Sequence, residues 1–110
     1  MAGALNIFKT VVANVTTTPT SVYSTPIGYS TVVLMAQIAN TGNATIQISA
    51  DLIRSGNATA LVQSASVPVA DAASVLTGRL ILQFGDSFQV TASADNSSQL
   101  TLSLLETLTG

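Results

Sequence analysis

Lys9, Arg54 and Arg79 on the basic side, and Asp51, Asp71, Asp86, Asp95 and Glu106 on the acidic side, are all the charged groups this chain offers to a reactive site. It has no His and no Cys, so a nucleophile paired with an imidazole base cannot be assembled. A Ser-Lys pair would depend on Lys9, which sits in the first apolar stretch with no catalytic-looking motif around it. General acid-base work by two carboxylates needs acids held across a cleft. Here Asp71, Asp86 and Asp95 fall in turn sequences, Asp51 closes an alternating run and Glu106 stands near the C-terminus. Turn formation, with the side chain bonding nearby backbone N–H groups, accounts for Asp86 and Asp95. Zinc ligands, an Asp-rich calcium loop and phosphate-cradling glycine loops are all missing. No cofactor and no metal is expected, and an enzyme is the least favoured reading.

Other binding chemistries are equally thin. Sugar-binding sandwiches stack rings on exposed aromatics, but the chain has no Trp. Phe84 and Phe88 fit an alternating core face, which leaves Tyr23 and Tyr29, either side of the turn Pro26-Ile27-Gly28, as a candidate contact pair. A net charge of −2 with three basic residues gives no patch to neutralise phosphates, so nucleic acid is not an expected partner. Four Asn-x-Ser/Thr sequons, at Asn14, Asn43, Asn57 and Asn96, read as turn and strand residues.

The elements that must position these side chains are strands. Residues 45–52, 87–94 and 99–104 alternate apolar and polar, the period of a strand with one face in a core. Residues 31–38 are apolar on both faces, as in a central strand that also meets something on its outer side. Turn sequences punctuate these runs at the spacing of an all-β sandwich. The pattern predicts an antiparallel β-sandwich, jelly-roll-like or Ig-like. About eight strands are expected, near 6–15, 20–24, 30–39, 44–53, 58–66, 73–76, 79–84 and 87–94, with a ninth at 98–107. Residues 70–73 have room for at most one helical turn. The 110 residues form one domain, with 1–19 as its first strand or as an extended N-terminal arm beyond the Thr-rich connector 15–20.

Charged residues are 7 % of the chain, against roughly a quarter in ordinary globular domains, and mean hydropathy is +0.54. The longest strongly apolar run, residues 32–36, is far short of the ~20 residues of a membrane helix, so no membrane is expected. The N-terminus lacks a basic start followed by an apolar segment, so no signal peptide is expected. Sandwich edges are normally guarded by Lys, Pro or inward charges, which are scarce here. Subunits that cover one another resolve the conflict, because obligate interfaces are apolar and poor in charge. Tyr23, Tyr29, Val33, Met35 and Leu105 are the candidate interface residues, the last three on the outward faces of the 31–38 and 98–107 strands.

A resemblance points the same way. Residues 24–34 (STPIGYSTVVL), Ile38-Ala39-Asn40, Ser66-Val67-Pro68, residues 73–80 (ASVLTGRL), Gly85-Asp86-Ser87 and Leu102-Ser103-Leu104-Leu105-Glu106 resemble, in their order, small structural proteins of tailed-bacteriophage virions. Asp71 departs from that pattern, standing where a small residue or Gly is more familiar. The resemblance covers residues 20–107 and implies a non-enzymatic β-sandwich of the particle. A capsid cement or decoration protein leads, with a neck, tail or baseplate component as the alternative. Its partners would be itself, as a homotrimer, and a major capsid or other virion protein, and it would reside in the virion after assembly in the host cytoplasm. A surface receptor-binding or glycan-binding module is the reading from a different class. A pilin-like subunit joined by donated strands is disfavoured by the expected lack of a signal peptide.

Overall fold

A computed structural model describes residues 6–76 and 78–108. Nine strands succeed one another: β1 (Asn6–Asn14), β2 (Thr20–Ser24), β3 (Tyr29–Asn40), β4 (Ile46–Arg54), β5 (Asn57–Val67), β6 (Ala72–Ser74), β7 (Leu80–Leu82), β8 (Ser87–Ala92) and β9 (Ser98–Leu108). They form two antiparallel sheets. Sheet A runs β1-β9-β3-β6, with β7 also paired to β3, and sheet B runs β2-β8-β4-β5. β6 lies against residues 37–39 of β3 and β7 against residues 31–33, so the two short strands are one interrupted edge. Counted as one, they give eight strands in the order of a jelly roll, in which the chain crosses between two four-stranded sheets in nested antiparallel pairs. The one helical turn for which residues 70–73 have room does not form: Ala70 has φ 60° and Ala72 already belongs to β6.

Local chemistry sets the pairings. Arg54 faces Asn57 across the two-residue loop Ser55-Gly56, and both loop residues have positive φ, 54° and 79°. Such a turn matches strand twist and favours Gly at the second place. β1 pairs with β9 in unbroken register from Asn6–Thr107 to Asn14–Gln99. Residues 6–14 are therefore the first strand and not a detached arm; residues 1–5 of the arm expectation lie outside the described residues. The connector after β1 is pinned. Val15 is buried, its N–H donates to the Ser98 carbonyl, and the Thr17 N–H donates to Asp95 Oδ1 at 2.8 Å.

The core lies between the sheets, around Phe88, Ile38, Ile48, Leu82, Leu100, Leu102 and Leu104. In β9 the even residues from 98 to 106 are all buried, as period-2 geometry requires. β3 breaks the rhythm: a bulge between Val33 and Met35 buries Val33 and Ala36 and turns both Leu34 and Met35 outward. A bulge adds one residue and so reverses the parity of the strand beyond it. Val33, expected on the outer face, is consequently part of the core with 0 % exposure. Phe84, expected in the core, is 63 % exposed, because β7 ends at Leu82 and the turn 83–86 lifts it clear.

Candidate interaction surface

The outer face of sheet A is built by register. Phe8 lies opposite Leu105, Leu105 opposite Val32, and Val32 opposite Ile81, so four apolar side chains form one row across the full width of the sheet. Phe8 and Ile81 at its ends are 75 % and 53 % exposed; Leu105 and Val32 between them are half-buried. Met35 pairs with Ser103 one row along, and Leu34 stands beside it at the bulge. Together with Ser74, Leu76, Gly78 and Arg79 these two line a shallow hollow of about 410 Å³. The other rows are neutral: Thr10–Ser103–Met35, Val12–Thr101–Gln37–Ser74, Asn14–Gln99–Ala39–Ala72 and Asn6–Thr107–Ser30. Among the described residues no outward position of the paired strands of sheet A is charged; Arg79 lies at the margin, between β6 and β7.

Sheet B presents the opposite character. Its outward positions on β4 and β8 include Gln47, Ser49, Asp51, Ser87, Gln89 and Thr91. Water solvates this polar face readily. The two broad faces of the sandwich therefore differ in kind, one suited to solvent and the other to a partner.

The charges that sheet A lacks outside are partly inside. Glu106, 2 % exposed, is the only acid on the inward face of β9. Lys9 reaches it at 3.0 Å from the neighbouring edge strand, and the Tyr23 hydroxyl donates to its Oε2 at 2.5 Å. Tyr23 has one hydroxyl hydrogen, so Thr31 donates to Tyr23 across their 2.8 Å contact, and Thr25 donates to Thr31 at 3.2 Å. Thr25, Thr31, Tyr23 and Glu106 thus form a polarised chain ending on a carboxylate. Burial, chiefly, and the hydrogen bond to Glu106 push the Tyr23 hydroxyl up to about 12. Tyr23, expected at an interface, has its polar tip committed to this interior network. At the same end of sheet B, where the Thr25 N–H donates to the Asp86 carbonyl, the Asp86 carboxylate accepts Arg54 Nε and Nη2 at 3.0 and 2.6 Å and the Gln83 N–H at 2.8 Å. The Arg54 guanidinium holds its carboxyl below the ordinary value, against the opposing effect of burial.

Tyr23 makes the fold sensitive to alkaline pH. Its folded pKa lies above the unfolded value near 10, so the stabilisation is complete below about pH 10 and is lost as pH rises through about 12. The melting temperature is expected to fall more steeply over that interval in the parent chain than in Tyr23→Phe. Equal slopes would remove the network's contribution.

Of the five candidate interface residues, Met35 and Leu105 lie on the neutral outer face, Val33 lies in the core, and Tyr23 points inward. Tyr29 opens β3 half-buried, opposite Leu108. Phe8, Val12, Val32, Leu34 and Ile81 share the face and are not among the expected residues. Among the described residues no three His, Cys, Asp or Glu side chains converge on a possible metal position.

No family model and no curated protein matches this chain. Solved structures match its fold. A chain of the Bacillus endospore appendages, which are disulfide-linked pili, is 12 % identical with TM-score 0.59 over 96 % of this chain and 88 % of its own. A chain of the Helicobacter pylori bacteriophage KHP30 capsid is 9 % identical with TM-score 0.56 over 99 % and 92 %. The nucleoplasmin-like N-terminal domain of Drosophila FKBP39 is 15 % identical with TM-score 0.53 over 100 % and 98 %. Subunits of a pilus and of a capsid stand beside a domain of a different kind, so the likeness at these identities is one of fold.

Proposed function

We propose that this chain is a non-enzymatic structural subunit of a phage virion, a capsid cement or decoration protein that stabilises a shell by oligomeric packing. The observation that carries the reading is the charge-free outer face of sheet A, crossed by the row Phe8–Leu105–Val32–Ile81. The exposed apolar side chains of that row gain by leaving water, and a face without charge has no field with which to steer a charged ligand, while neutral apolar surface is what obligate protein interfaces use. The likeness in fold to a phage capsid chain and the sequence resemblance to tailed-phage virion proteins support the choice of assembly. Residence in the particle, after assembly in the host cytoplasm, belongs to the same proposal.

Mixing the purified chain with emptied phage heads tests it. Stoichiometric, saturable binding is expected, and Leu105→Lys is expected to lower occupancy at least tenfold while the far-ultraviolet spectrum stays unchanged. Absence of binding by the parent chain would overturn the cement and decoration reading.

A further inference from the structure

We infer that the outer face of sheet A is the contact between two copies of this chain, packed face to face about a two-fold axis that runs along the strands. The inference rests on the assembly reading above and adds its partner, its symmetry and the residues that meet.

The face has the properties that a self-contact requires. Its outward rows carry no charge among the described residues, so a second copy meets it without like-charge repulsion, whatever the approach. A charged partner would find nothing to pair with. Its size also fits. Four strands abreast at ~4.8 Å span about 19 Å, and the nine residues that β1 shares with β9 span about 30 Å, a flat footprint of roughly 600 Å². Pleating and side chains raise the area actually covered towards the ~800 Å² per partner of a standard specific interface. The opposite broad face, with Gln47, Ser49, Asp51, Gln89 and Thr91 outward, has no such stretch.

The symmetry assigns the contacts. β1 and β7 are opposite edges of the sheet, and the apolar row runs from one to the other. A two-fold axis along the strands, midway between β9 and β3, exchanges the ends of that row. Phe8 of one copy then lies over Ile81 of the other, and Leu105 over Val32, twice each. A bulky ring at one edge meets a smaller branched side chain at the other, which lets the layers interdigitate at the ordinary ~10 Å spacing of packed sheets. A self-complementary patch of this kind closes at two, so a pair, and not the trimer implied by the sequence resemblance, is the unit of self-assembly.

A charge exchange tests both the contact and its symmetry. Phe8 and Ile81 are exposed and three strand spacings apart, roughly 14 Å, so substitutions at the two sites do not compensate within one copy. Native mass is expected to show a dimer of the parent chain at micromolar concentration. Phe8→Glu alone and Ile81→Lys alone are expected to weaken the dimer at least tenfold while leaving the circular-dichroism spectrum unchanged. The chain carrying both substitutions brings opposite charges together across the two-fold and is expected to recover most of the affinity. A parent monomer, a parent trimer, or losses that simply add in the doubly substituted chain would each overturn the inference. Head binding separates the two proposals: a dimer that ignores phage heads keeps the pair and removes the virion role, whereas a monomer that coats heads does the reverse.

Discussion

Lys9→Met is expected to lower folding stability by about 2 kcal/mol and to release β1 from the sheet edge before the rest of the molecule opens. Glu106 is buried and receives one hydrogen bond from Tyr23 and one ion pair from Lys9. Removing one partner of a fully buried pair costs about 3–5 kcal/mol, because the surviving charge stays desolvated. The smaller value applies here since the Lys9 side chain is 46 % exposed and the Tyr23 bond survives. The reverse substitution, Glu106→Gln, is expected to cost about 1 kcal/mol, because Lys9 turns to water and the amide oxygen still accepts from Tyr23. The asymmetry between the two is the diagnostic result. Amide hydrogen exchange locates it: in Lys9→Met the β1 amides bonded to β9 are expected to lose protection by more than the global loss of stability explains. Equal losses from both substitutions, or exchange unchanged in β1, would show that the ion pair does not hold the strand.

The same pair specifies register. A slip of β1 by one residue along β9 would turn Lys9 outward and drive Phe8 inward beside Glu106. The neutral outer face and the buried charge are thus two results of one alignment: the residue that keeps charge off the outside is the one that fixes which residues are outside.

Strand positions are legible in the sequence to within two residues, because alternation and turn chemistry are local. The expected 20–24 is β2, and 98–107 falls one residue short of β9. Register is not legible. Phe8, Leu105, Val32 and Ile81 look unremarkable apart, and only pairing between distant segments puts them in one row. The β3 bulge defeats a second inference: Val33 and Met35 share parity in a regular strand, which places both on one outer face, and the additional residue sends Val33 inward. The buried acid does leave a mark in the sequence. In β9 the positions 100, 102, 104 and 106 read Leu, Leu, Leu, Glu, which puts an acid on an apolar face and implies an internal counter-ion. With one lysine in the chain, Lys9 is a natural partner. Tyr23, 83 residues away, carries no comparable mark.

Phe84 and Phe88 supply the sharpest contrast between sequence and fold. Four residues apart, they share the core face by alternation, yet Phe88 has 0 % exposure and Phe84 63 %. Phe88→Ala is expected to destabilise the sandwich by about 4 kcal/mol, the middle of the range for emptying a buried phenylalanine site. Phe88 lies on β8 opposite both Tyr23 of β2 and Leu52 of β4, so neighbours held in two ladders have little freedom to collapse into the space. At roughly 4 °C per kcal/mol for a domain of this length, the melting temperature is expected to fall by about 16 °C. Phe84→Ala, at a ring held on a turn in solvent, is expected to remain within about 0.5 kcal/mol of the parent. The pair also separates folding from assembly. Phe88 contributes nothing to the outer face of sheet A, so below its lowered melting temperature Phe88→Ala should still pair and assemble with the parent's affinity. Loss of assembly with the fold intact would mean that core packing between the sheets shapes the outer face, and that the row from Phe8 to Ile81 does not act alone.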